Sequence, residues 1–258
     1  MQLSYIIPLL LAIPARSLFV LVPLYLYPGN SASAWSNVTA AIAANPHVDW
    51  QIIINPNSGP GTYPPDANYI AGVSKINSYP NAVTLGYVDT GFTQISYSTL
   101  ESQVDTWANW STYTAANIAI HGIFFDDVSD DASSSSYNYY QQAAAYAHST
   151  MPSKPAPVVF NPGTTAPDQL FAYADTIVQY EGQLSTYKDT ATISTFNQAF
   201  DQQTAIVIYD TTTTANVKTY VHDMAVNGIE AVYFGVDCCY GVFSLDLLNL
   251  VASAVYTG

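Results

Sequence analysis

Three carboxylates in this chain stand directly behind apolar runs. His121-Gly-Ile-Phe-Phe-Asp126-Asp127 delivers two of them, and Thr176-Ile-Val-Gln-Tyr180 delivers Glu181. A carboxylate held against a hydrophobic strand costs several kcal/mol unless it is paired or protonated, so acids kept there are expected to be used. Two carboxyl groups facing each other across a cleft are what glycosidic cleavage requires. One protonates the leaving oxygen, while the other attacks the anomeric carbon or activates water. Asp126, Glu181 and Asp127 are therefore the candidate catalytic groups. In the leading assignment Glu181, at an apolar strand end that favours its protonated form, is the general acid/base. Asp126 is then the nucleophile or charge stabiliser, and Asp127 supports it electrostatically. The reverse roles for Asp126 and Glu181 stay open, as does attack by a substrate N-acetyl group with Asp126 as its partner. The structural alternative has an aspartate capping the following helix, a reading with more weight for Asp127 than for Asp126.

Other chemistries find less support. Asp126-Asp127-Val128-Ser129-Asp130 spells the pattern that isoprenoid synthases use for magnesium diphosphate, but here it leaves a strand and the chain has few cations to hold a diphosphate. Calcium binding by the acidic cluster through Asp131 is a minor alternative. The turn-rich loop Asn55-Pro-Asn-Ser-Gly-Pro-Gly61 has no lysine and no phosphate-loop spacing. His47, His121, His148 and His222 show neither metal spacing nor a partnered nucleophile, and no Gly-x-Ser-x-Gly elbow is present. Cys238 and Cys239 are adjacent, which provides neither a disulfide framework nor metal-ligand spacing. Free or buried thiols are expected there, with a vicinal or intermolecular bond open in an oxidising compartment. The reaction is expected to need no metal and no cofactor.

Such carboxylates must be positioned by a rigid frame. Strand-like runs occur at Leu18–Leu26, Val48–Ile54, Ala82–Val88, Ile118–Phe125, Val158–Phe160, Thr176–Tyr180, Ala205–Tyr209 and Ile229–Phe234. Most are continuously apolar, as strands buried on both faces of a parallel sheet should be. Helical spacing separates them: Tyr69, Ile70, Val73 and Ile76 behind an Asp66 N-cap, then Leu100, Val104, Trp107 and Ser111. Val217, Val221, Met224 and Ala225 follow, closed by Asn227-Gly228, and a last helix runs from Ser244 to Tyr256. Eight alternations predict a single α/β domain, a closed (β/α)8 TIM-type barrel, whose function belongs at the C-terminal strand ends. Those ends carry Tyr25, Tyr27, Asn55, Tyr87, Asp89, Asn161, Tyr209, Asp210, Asp237 and Tyr240 beside the three acids. Carboxylates, amides and tyrosines together describe a sugar-binding cleft.

The 258 residues suit one barrel of about 250. Charged residues are only 9%, against about 25% in average soluble chains, so hydroxyl, amide and phenol groups must cover the surface. The net charge of −14 disfavours nucleic acid and anionic membranes as partners and favours a neutral or cationic polymer such as an amino-sugar polysaccharide. Residues 1–17 read as a signal peptide, leaving a domain over 18–258. The sequons Asn37-Val38-Thr39 and Asn109-Trp110-Ser111 agree with a secreted, extracellular glycoprotein, with association to a cell wall as an open option. A monomer is expected.

Five segments carry a family resemblance: Leu21-Val-Pro-Leu-Tyr-Leu-Tyr-Pro28, Ile54-Asn-Pro-Asn-Ser-Gly-Pro-Gly61, Gly86-Tyr-Val-Asp-Thr90, Gly122-Ile-Phe-Phe-Asp126 and Asn161-Pro-Gly163, with Glu181 at the expected place. From about residue 18 onward the chain resembles the spherulin-4-like family, also classed as glycoside hydrolase family 135. The resemblance implies a (β/α)8 barrel, endo-acting cleavage of polymers containing N-acetylgalactosamine such as galactosaminogalactan, and acidic catalytic residues at Asp126, Asp127 and Glu181. This chain departs from the family in having Asp127 where Glu is usual and Tyr209-Asp210 where a histidine-containing segment is common. Cys238-Cys239 is not expected from the family either. The alternative function is a non-catalytic wall or spore-coat protein that binds polysaccharide through the same cleft.

Overall fold

In the computed structural model, which describes residues 18–257, eight parallel strands close into one barrel in sequence order. They are β1 (Phe19–Leu24), β2 (Trp50–Ile54), β3 (Ala82–Asp89), β4 (Gly122–Asp126), β5 (Val158–Phe160), β6 (Thr176–Gln183), β7 (Thr204–Tyr209) and β8 (Ala231–Phe234). Pairing of β1 with β8 completes the ring. Seven helices pack outside: α1 (Ser36–Ala44), α2 (Ala67–Ile76), α3 (Tyr97–Asn109), α4 (Ser134–Thr150), the single-turn α5 (Thr190–Ile193), α6 (Val217–Val226) and α7 (Leu245–Thr257). Between β5 and β6 the helix is reduced to a 3-10 turn over Asp168–Ala172. The predicted TIM-type barrel is thus observed. The expected leader over residues 1–17 lies outside the described residues.

The strands form where continuous apolar runs can be buried on both faces; every residue of β1 is buried. Helix starts are set by side chains that satisfy orphan amides. Asp66 accepts from the Asn68 and Tyr69 amides, as predicted, while Ser96 and Ser133 cap α3 and α4. All four tryptophans are fully buried. Trp107 lies flat on Gly86, where a Cβ would come within 2.5 Å of the indole, and its Nε1 donates to the Tyr87 carbonyl at 2.9 Å. That glycine lets α3 sit close against β3 and so fixes the strand that carries Tyr87.

Most strand ends fall within about two residues of expectation, and two boundaries differ by more. Residues 118–121 are not strand, and the Ala119 carbonyl is taken by side chains instead: it accepts from Asn77 Nδ2 at 2.9 Å and from Thr84 Oγ1 at 3.0 Å. The sixth strand runs on to Gln183, so Glu181 lies inside it rather than beyond its end. Its pairing with β7 skips from Val178 to Tyr180, leaving Gln179 as a bulge whose Nε2 donates to Thr204 Oγ1 at 2.7 Å. One inserted residue reverses which side of a strand the later side chains take. The bulge therefore decides where Glu181 points.

Candidate active site

Three consecutive strands converge at the mouth of the barrel. Asp126 ends β4, Asn161 follows β5 directly, and Glu181 comes from the bulged half of β6. Asn161 is buried, and its Nδ2 donates both to Asp126 Oδ1 at 2.8 Å and to Glu181 Oε2 at 2.7 Å. Its Oδ1 accepts from the Gly163 amide at 2.9 Å, which settles the orientation of the amide. One NH2 group thus gives a proton to each carboxylate, and the two acid oxygens lie no farther apart than two hydrogen bonds end to end.

Tyrosines supply the remaining donors. Tyr240 donates its hydroxyl to Glu181 Oε1, and Tyr87 donates to Asp126. Tyr25 stands edge-on between them, 5.4 Å from each ring centroid. Burial raises the phenols of Tyr25, Tyr87 and Tyr240 well above their ordinary value; Asp126 raises all three further, and Glu181 does so for Tyr25 and Tyr240. All three stay protonated and can only donate to an anion. Burial also pushes the Asp126 carboxyl up to about 6, against the opposing hydrogen bond from Tyr87 and with help from the Glu181 charge. Asp127 is raised too, first by desolvation and then by Asp89 and Glu181.

Asp127 differs from its neighbour in exposure and backbone. Its φ is +50° and its side chain is exposed. The buried Thr90 stitches this corner to β3: Oγ1 donates to the Asp126 carbonyl at 2.9 Å and to the Asp127 carbonyl at 2.7 Å. The Phe92 amide adds a bond to Asp127 O at 2.8 Å. Neither aspartate caps α4, whose cap is Ser133.

The other candidates divide into two groups. Tyr25, Tyr87, Asn161 and Tyr240 join the acids at the centre. Tyr209 is half-buried nearby, its phenol raised by burial and then by Glu181, and Asp210 Oδ2 accepts from Gln183 Nε2 at 3.1 Å beside it. Asn55, Asp89 and Asp237 instead hold their own loops, accepting from the Gly59, Gly91 and Gly241 amides at 3.1, 2.7 and 3.0 Å. Tyr27 stands at the rim, where its hydroxyl accepts from Asn68 Nδ2 at 2.8 Å and its ring lines a 310 Å³ hollow with Pro56, Asn57 and Tyr69. A second hollow of 440 Å³ lies between the loops after β6 and β7, lined by Gln183, Asp210, Thr212 and Tyr220. Sequence reasoning missed Thr90, Gln183 and the exposed Phe92. Thr90 closes the Gly86-Tyr-Val-Asp-Thr90 motif, and an apolar Phe92 between Gly91 and Thr93 in a polar loop was the available signal for the other.

Backbone strain concentrates at the same pole. The non-glycine residues with left-handed φ among those described are Ser31, Ala32, Ser58, Phe92, Thr93, Asp127, Asp189, Asp210 and Tyr240. Every one lies in a loop that follows a strand at its C-terminal end. Such conformations cost about 1–3 kcal/mol each and persist where surrounding structure imposes them, often at functional sites. Among the described residues no group of three or more His, Cys, Asp or Glu side chains is arranged to hold a metal ion.

Comparison with known proteins follows the same lines. Residues 19–254 match the family described as spherulation-specific family 4. Spherulin-4 of Physarum polycephalum is 33% identical over 175 residues, spanning 66% of this chain and 46% of that protein. The chain therefore covers about half the length of this curated relative. The crystal structure of Aspergillus clavatus Sph3 in complex with GalNAc superposes with a TM-score of 0.83 at 26% identity, covering 92% of this chain and 98% of that one. A β-glucuronidase from Ruminococcus gnavus superposes at 0.51 and 9% identity, over 86% of this chain and 42% of that one, a likeness of fold alone.

Proposed function

Because this chain belongs to spherulation-specific family 4, we propose that it is a glycoside hydrolase acting inside polysaccharides that contain N-acetylgalactosamine or galactosamine, of the galactosaminogalactan kind. The observation that carries this reading is the single Asn161 amide shared by Asp126 and Glu181. Two carboxylates so close match the about 5–5.5 Å spacing of retaining enzymes and fall short of the about 6.5–9.5 Å that inverting enzymes leave for a water. GalNAc is the sugar bound to the Sph3 relative, and a rim open toward two hollows suits an internal stretch of polymer.

The geometry favours the reverse of the leading sequence assignment of roles. Asp126 is half-buried, and desolvation raises its carboxyl to about 6, so it holds a proton under mildly acidic conditions and is the better general acid/base. Glu181 receives donors on both oxygens, from Tyr240 and Asn161, the pattern of a group that acts as an anion, either attacking the anomeric carbon or stabilising an internal N-acetyl nucleophile. Asp127, exposed at the rim and one methylene shorter than the residue usual in the family, adds negative potential for a partly deacetylated, cationic sugar. Secretion accords with Asn109, an exposed sequon at the end of α3.

The test is to incubate the purified protein with partly deacetylated galactosaminogalactan and follow released oligosaccharides by mass spectrometry, beside Asp126→Asn and Glu181→Gln. Oligomers from the wild type and none from either variant are expected. Polymer that is bound but never cut would establish the wall-binding alternative instead.

A further inference from the structure

Cys238 and Cys239 lie in the loop between β8 and α7, at the active-site pole and one residue before Tyr240. Both are exposed, and their sulfurs approach to 2.8 Å, closer than non-bonded sulfur atoms ordinarily sit. The loop around them is bracketed: Asp237 accepts the Gly241 amide through Oδ2 at 3.0 Å and the Val242 amide through Oδ1 at 3.4 Å. The two ends are held together while the cysteines project from the apex. Tyr240 follows with φ +53° and is itself buried against Tyr25 and Tyr233, its hydroxyl on Glu181.

We propose that Cys238 and Cys239 form a redox-active dithiol site, closed to a vicinal disulfide by exchange with a low-molecular-weight disulfide, and that closure stiffens the loop that sets Tyr240 over Glu181. One cysteine thiolate attacks a sulfur of the small disulfide and expels one thiolate; the second cysteine then attacks the mixed disulfide and expels the other. The two protein thiols lose two hydrogens and two electrons, and the small disulfide gains both as two free thiols. The sulfurs already lie 2.8 Å apart, and closing the bond completes an eight-membered ring through the 238–239 peptide, so the backbone between the two cysteines turns with their side chains inside the bracket held by Asp237. Cross-linking neighbours shortens no long loop of the unfolded chain, so the effect on global stability is small and the consequence is local. The Cys238 thiol is raised, first by its contact with Cys239 and also by the carboxylates of Asp210 and Asp237. Exchange is accordingly best run at about pH 8.5, where more thiolate is present.

The first arm of the test is independent of the hydrolase reading. The purified chain is treated with oxidised glutathione or with a reductant, then alkylated and analysed by intact mass and peptide mapping. Oxidation is expected to remove both alkylatable thiols and two hydrogens, within one peptide. Two thiols that stay alkylatable, or bonds between chains, would overturn the site. In the second arm, hydrogen exchange of the amides in 236–244 is expected to slow several-fold in the oxidised form and to be unaffected by oxidant in Cys238→Ser/Cys239→Ser. Equal exchange in both forms would overturn the stiffening. If the polymer is cleaved, the oxidised wild type should turn over about three- to tenfold faster than the reduced one, with the double variant at the reduced level. Failure of cleavage alone would reject the hydrolase reading and leave the first two arms decisive for this one.

Discussion

Asp126 is the residue whose environment makes the sharpest predictions. Its folded carboxyl titrates near 6, above the ordinary value near 4. A carboxyl raised in this way binds more protons in the folded than in the unfolded chain between those values. Stability therefore falls as pH rises through that window, and the charged form is a burden at neutral pH. Asp126→Asn is expected to unfold at higher denaturant than wild type at pH 7, by about 1–3 kcal/mol, while losing about 10²–10⁴ in turnover. Equal midpoints by urea titration would show that burial does not govern this carboxyl. In the wild type, kcat/KM should decline as pH rises through about 6, and a profile flat to pH 8 would remove Asp126 as the proton donor. The motif was legible because an acid closing an apolar strand has few inert explanations. The Asn161 bridge was not, since one amide between two acids far apart in sequence exists only once the barrel closes.

At the scale of elements, the hydrophobic periodicity carried most of the architecture. Continuous apolar runs announced the strands, and Asp66 announced α2. What periodicity could not convey was the bulge at Gln179, which adds a residue to a strand without changing its composition, or the diversion of the Asn117 and Ala119 carbonyls to Asn77 and Thr84. Both arise from side-chain hydrogen bonds made across elements. The corner held by Thr90 belongs to this scale as well. Thr90→Val keeps the shape but strips a buried donor from two carbonyls, one on each active-site aspartate. A loss of about 1–3 kcal/mol is expected by thermal or chemical unfolding, with a fall in turnover from the loosened β4 end. Unchanged turnover would show that the corner is structural only.

For the whole molecule, charge is the governing property. With Asp and Glu 19 against Lys and Arg 5, the protein carries −14, a charge that, on the proposed function, should draw a cationic polymer toward the cleft. For a partly deacetylated substrate KM is expected to rise several-fold as salt goes from about 0.02 to 0.5 M, where screening shortens from tens of Å to a few, while kcat changes little. A fully N-acetylated, neutral substrate should show no such dependence; if it does, the charge is general solubilisation and not recruitment.

The nine left-handed residues clustered at one pole sort this surface for a mutational scan. Glycine adopts such backbone more cheaply than any other residue, so an exposed, larger side chain at such a position, which packing does not require, is a candidate for a role other than folding. Ser31→Gly, at an exposed turn whose amide bond to Asn68 survives the change, should gain up to about 1 kcal/mol with cleavage intact. Phe92→Gly and Asp127→Gly should match that tolerance in thermal melts yet lose polymer cleavage. Positions where durability and activity move in opposite directions would trace the outline of the substrate path, read from tolerance to a single amino acid and without a bound sugar in view.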